Sequence, residues 1–104
     1  MSIDNVIMLA MGRYVVYVDD NFHPGDESER YLLGEYDTRE SAVSACKAKV
    51  DEYFERLIKG QHTFQVLWEG YKLYGEDPFI INDDCDEKFS AWEYAKQRCY
   101  ECMA

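Results

Sequence analysis

The apolar residues of this 104-residue chain change their spacing near residue 37, and that change limits the folds open to it. Before residue 37 they follow the two-residue period of a strand. Tyr14-Val15-Val16-Tyr17-Val18 puts Tyr14, Val16 and Val18 on one face and Val15 and Tyr17 on the other. Its β-branched and aromatic residues suit a pleated, half-buried surface. Tyr31-Leu32-Leu33-Gly34-Glu35-Tyr36 reads as a second strand, after a polar stretch from Asp19 to Arg30 that holds the turn formers Asn21, Pro24 and Gly25. Two consecutive strands joined by a loop most simply form an antiparallel hairpin.

After residue 37 the spacing is helical. Asp37 is placed to cap a first helix, with Glu40 completing a capping box. Ala42, Val43, Cys46, Val50, Tyr53, Phe54 and Leu57 then form one apolar stripe, and Gly60 is a stop signal. Thr63 caps a second helix whose stripe is Phe64, Leu67, Trp68, Tyr71 and Tyr74. Gly75 is expected as a left-handed C-terminal residue. Gly70, inside that helix, costs about 1 kcal/mol relative to alanine. Pro78 prevents continuation, so Phe79-Ile80-Ile81 reads as a short extended segment and a candidate third strand. Ser90 and Glu93 start a last helix as an S-x-x-E box, with Phe89 and Tyr94 in the staple positions. Trp92, Ala95, Cys99 and Cys102 are its expected inner stripe.

These elements predict an α+β fold: a small antiparallel sheet (the hairpin plus a short third strand) with three helices on one face, in the order β-β-α-α-(β)-α. Residues 12–104 make one domain, and residues 1–11 read as a leader or an added edge strand. The apolar run Val6-Ile7-Met8-Leu9-Ala10-Met11 is far shorter than the roughly 20 residues of a spanning helix, and it lacks the flanks of a secretory signal. No membrane association is expected, and the address expected is cytoplasmic. In a reducing compartment Cys46, Cys85, Cys99 and Cys102 are free thiols. Cys99-x-x-Cys102 resembles half of a zinc knuckle, but no second close pair accompanies it. Cys46 and Cys99 fall on apolar stripes, where cysteine packs as a small hydrophobe.

Five segments carry a resemblance: Tyr14-Val-Val-Tyr-Val-Asp-Asp-Asn-Phe-His23, Gly34-Glu-Tyr-Asp-Thr38, Ala45-Cys-Lys-Ala-Lys-Val-Asp51, Tyr74-Gly-Glu-Asp-Pro-Phe-Ile80 and Phe89-Ser-Ala-Trp-Glu-Tyr-Ala95. Over about residues 13–102 the chain resembles a group of small uncharacterised bacterial proteins, with Gly75-Glu-Asp-Pro-Phe79 the most distinctive piece. The resemblance implies a bacterial cytosolic origin. It carries no activity, cofactor or site residue, and it makes Met11 an alternative start.

The charge is more informative. Of 21 acidic residues, eleven lie in two stretches free of Lys and Arg. Asp19, Asp20, Asp26, Glu27 and Glu29 fall within residues 19–29. Glu76, Asp77, Asp83, Asp84, Asp86 and Glu87 fall within residues 76–87. The remainder is nearly neutral, so the net charge of −10 belongs to two loops. If both sit at one end of the sheet they form an acidic pole with a focused negative field. Such a surface speaks against nucleic acid, whose binding needs Lys and Arg to displace counterions. It fits solvated loops, a basic protein partner, or a divalent cation. Asp19, Asp20, His23, Asp26, Glu76, Asp77 and Asp83 are the candidate interaction residues. The cation reading rests on Asn82, Asp84, Asp86 and Glu93, at positions 1, 3, 5 and 12 of a calcium-loop register. Against it, position 1 is not Asp, position 6 is Glu87 rather than Gly, and Glu93 belongs to a helix cap.

Enzyme signatures are thin. His23 stands beside Asp19, Asp20 and Asp26, so a base can be drawn there, while His62 has no partner implied by spacing. No G-x-S-x-G, P-loop or G-x-G-x-x-G occurs, and no cofactor is indicated. The leading expectation is a non-enzymatic protein-interaction or regulatory domain, homodimeric through one sheet face, because aromatics occupy both hairpin faces and the helices suffice for one. The alternative is a small enzyme or divalent-cation-binding protein using the loops Asp19–Glu29 and Glu76–Glu87.

Overall fold

A computed structural model describes residues 14–57 and 62–103; the reading of residues 1–11 and the Gly60 stop lie outside them. The elements are β1 (Tyr14–Asp20), a 3-10 turn (Glu27–Glu29), β2 (Tyr31–Tyr36), α1 (Arg39–Glu55), α2 (Phe64–Tyr74), β3 (Glu76–Ile80) and α3 (Ala91–Cys102). The expected α+β order is what forms. β1 is the middle strand of an antiparallel sheet ordered β2-β1-β3. No described helix is long and apolar enough to cross a membrane.

Alternation along β1 decides which face is covered. Tyr14, Val16 and Val18 are buried, and Tyr14 and Val16 pack with Ala42 and Cys46 of α1 and Ile80 of β3. A second cluster joins Val50 and Phe54 to Leu67 and Tyr71 of α2 and to Ala91, Ala95 and Cys99 of α3. Tyr71 is fully buried, stacks on Phe54 and donates its hydroxyl hydrogen to the Glu76 carbonyl at 2.6 Å. Burial pushes the Cys46 thiol up to about 12 and the Cys99 thiol to about 11, so both are packing groups.

Four local expectations are corrected. Thr38, not Asp37, caps α1, accepting from the Ser41 N–H at 3.1 Å. Pairing of Tyr36 with Tyr14 holds the chain extended that far, and the turn needs two more residues. Gly75 is extended (φ −80°, ψ −177°) rather than left-handed, because α2 feeds straight into β3. A Cβ there would run into the Tyr71 ring, just as one at Gly70 would meet the Tyr53 hydroxyl. The third strand spans Glu76–Ile80 and contains Pro78, which an edge strand tolerates. Finally, the inner stripe of α3 is Ala91, Ala95 and Cys99, while Trp92 keeps 38% of its surface exposed.

The start of α3 is where it was expected. Ser90 accepts from the Glu93 N–H at 3.2 Å, and Phe89 lies against Tyr94 with ring centroids 6.5 Å apart. Ser90→Ala is therefore expected to cost about 1 kcal/mol. Lys96→Ala, on the exposed side of the same helix, should leave the urea midpoint unmoved. Equal midpoints for the two variants would contradict the cap.

Candidate functional site

The sheet distributes the acidic residues in a way their sequence does not suggest. β1 ends on Asp19 and Asp20, β3 begins on Glu76 and Asp77, and the antiparallel register sets Asp19 opposite Asp77 and Asp20 opposite Glu76. At this end the two acidic stretches meet. β3 then crosses the sheet, so the rest of its stretch emerges where β1 begins. There the Tyr14 hydroxyl donates to Asp84 at 3.3 Å and Val15 N–H donates to Asn82 Oδ1 at 3.0 Å. The acidity divides between both ends of the sheet.

Most candidate interaction residues are engaged within the chain. Asp19 holds Arg30 through two hydrogen bonds of 2.6 and 3.1 Å, and the guanidinium lies 5.1 Å from the centre of the Phe79 ring. Asp20 accepts from the Phe22 N–H at 2.9 Å and lies 3.0 Å from His23 Nδ1. That hydrogen bond raises the histidine pKa and lowers that of Asp20. Asp26 caps the 3-10 turn by accepting from the Ser28 N–H. Glu76 accepts from the Tyr31 hydroxyl at 2.7 Å. Asp83, with 3% of its side chain exposed, takes Arg39 in a two-pronged contact of 2.8 and 3.1 Å and also accepts from the N–H groups of Cys85 and Phe89. The Arg39 guanidinium holds the Asp83 carboxyl far below the usual carboxylate range.

Asp77 differs. Among the described residues no hydrogen bond to its carboxylate is seen, and burial, with Asp19 facing it, pushes its pKa up to about 6. It lines a cavity of about 510 Å³ together with Asp19, Asp20, Phe22, Lys72 and Trp92. Nothing in the sequence marked this residue out from the other carboxylates, because its burial depends on how the helices pack around β3.

Of the calcium-loop set, Asn82 turns to Val15, Asp84 to Tyr14, and Asp86 and Glu93 are exposed. The carboxylates of Asp84, Asp86 and Glu93 are not among the described groups that approach within 4.8 Å in threes. The set that does gather is Asp20, His23 and Glu29, on the exposed β1–β2 connection. Two carboxylates and one imidazole are donors that a divalent cation accepts. Glu29 was not singled out by spacing; the 3-10 turn brings it back toward His23.

The third feature is the sheet face that the helices leave open. Val15, Tyr17 and Phe79 are half-buried there, and Tyr17 stacks on Phe79 at 6.4 Å. Leu32, paired with Tyr17, is 51% exposed, and Ile81, whose N–H donates to the Val15 carbonyl, is 56% exposed. Glu35 and the Arg30–Asp19 pair border this patch. No family model matches this chain, and comparison with curated proteins and with solved structures finds no match.

Proposed function

We propose that the chain is a small, non-enzymatic, cytosolic interaction domain that pairs with a second copy of itself through the open face of its sheet. The observation that supports this reading is the patch formed by Val15, Tyr17, Leu32, Phe79 and Ile81, apolar along its middle and flanked by Glu35 beside Val15 and by Arg30 over Phe79. Interfaces share that layout, and an apolar centre is self-complementary about a twofold axis. Edge-to-edge pairing is the less favourable route. Pro78 interrupts one edge strand, and a register shift that leaves Leu33 unpaired distorts the other. The engagement of Asp19, Asp20, Asp26, Glu76 and Asp83 inside the chain weakens the rival reading of a basic partner on an acidic pole.

Sedimentation from micromolar to submillimolar concentration tests the proposal. A monomer–dimer equilibrium is expected, and it should tighten as salt rises, because two copies of net charge −10 repel and salt screens that repulsion. Leu32→Glu should weaken the dimer by roughly tenfold or more, since it places a charge within an apolar contact. A monomer throughout the range, or a dimer indifferent to Leu32→Glu, would remove this reading.

A further inference from the structure

We infer that the cavity at the β3 start binds an organic cation, a protonated amine or a guanidinium, held between the Asp77 carboxylate and the rings of Phe22 and Trp92. The cavity of about 510 Å³ falls in the size range of small-ligand sites. Its walls combine two aromatic side chains with one carboxylate that takes no hydrogen bond from the described residues. Phe22 stacks on Tyr74 at 5.7 Å, and Trp92 makes edge contacts to Trp68 at 5.6 Å and Tyr71 at 6.4 Å.

The chemistry selects an organic cation over a metal ion. Asp19 is engaged by Arg30 and Asp20 by the Phe22 N–H and His23, so of the three carboxylates lining the cavity only Asp77 takes no hydrogen bond from the described residues, and the site lacks the several free converging oxygens a hard ion requires. Aromatic faces attract ammonium and guanidinium groups. The chain already makes the same arrangement nearby, where Arg30 lies over Phe79 and against Asp19. The one cation among the lining residues, Lys72, is paired with Glu69 at 3.0 Å and lies over the Trp68 ring, and it forms no ion pair with Asp77. The inference is independent of self-association through the sheet face.

Titration with three probes tests it: 1,4-diaminobutane as a free amine, and lysine and arginine blocked at both backbone ends as side chains presented by a peptide. Tryptophan fluorescence or amide chemical shifts are followed, with sodium chloride at matched ionic strength as the blank. Saturable binding of at least one probe is expected. Asp77→Asn should weaken it by roughly tenfold or more and Trp92→Ala by several-fold, while Glu93→Gln should leave it unchanged. Preference for a blocked residue assigns the cation to a protein partner, and preference for the diamine assigns it to a free metabolite. No saturable response below about 10 mM, an affinity too weak for a built pocket, overturns the inference. So does an equal response in Asp77→Asn, which would reduce the effect to general attraction by an acidic surface.

Discussion

Asp83→Ala is expected to lower stability by about 3 kcal/mol at neutral pH, in the range found when one partner of a buried ion pair is removed. Its carboxylate ties together three pieces of chain. Arg39 at the first turn of α1 reaches it from 44 positions away, and the N–H groups of Cys85 and Phe89 fix the connection between β3 and α3. Alanine leaves both N–H groups without that acceptor, and buried donors without partners are costly. Arg39 retains only its contact to the Glu87 carbonyl. Because the folded-state pKa of Asp83 is depressed, its contribution is present above the ordinary aspartate value and fades as pH falls through the folded value. The gap between wild type and variant should therefore narrow in acid. Urea denaturation at pH 7 and about pH 3 measures both effects. Asp86→Ala, three residues on and exposed, should stay within about 0.5 kcal/mol of wild type, and equal losses for the two would refute the assigned role.

Asp77→Asn is expected to act in the opposite direction. The folded protein raises this carboxyl from 3.8 to about 6, so ionising it disfavours the native state. Below about pH 4 both folded and unfolded chains hold the proton, and the substitution should be neutral. As pH rises from about 4 through 6 the unfolded chain ionises first, and wild type loses stability that asparagine keeps. At about 1.4 kcal/mol per pH unit the ceiling is about 3 kcal/mol, and partial contact with solvent reduces the expected gain to about 2 kcal/mol above pH 7. The charged group acting on Asp77 is Asp19 across the sheet; Lys72, which lines the same cavity, is paired with Glu69, and the Tyr71 and Cys46 side chains stay neutral over this pH range. Melting temperatures of both proteins from about pH 4 to pH 8 test this. Parallel curves would mean that the carboxylate is solvated.

The two aspartates also mark how far the sequence could be read. The spacing change near residue 37, the caps at Thr63 and Ser90 and the alternation of β1 are set by neighbours within a few residues, so they were legible and the element order followed. The Asp37 cap was misplaced by one residue because strand pairing with Tyr14 decides where β2 ends. Pro78 signalled the end of a helix and, in the fold, lies inside a strand, because only the sheet order reveals that β3 is an edge. Two dense acidic runs suggested one pole. The fate of each carboxylate instead depended on partners such as Arg30 and Arg39, which composition counts but cannot pair. Asp77 and Asp83 are indistinguishable in sequence. One became a more acidic carboxyl at a structural junction and the other a less acidic one in a cavity, through contacts made by distant elements.

The central position of β1 sets a clock. Its pairing with β2 closes through a short connection, so the hairpin can form in the time of local loop closure. β3 reaches the other edge of β1 only after the chain has passed through α1 and α2. Contacts so far apart in sequence carry a larger closure entropy and slow folding. Until β3 docks, β1 keeps one open edge and Val16 and Val18 lack their neighbour, so the slow step of folding coincides with the interval in which this protein is most exposed to mispairing with other chains.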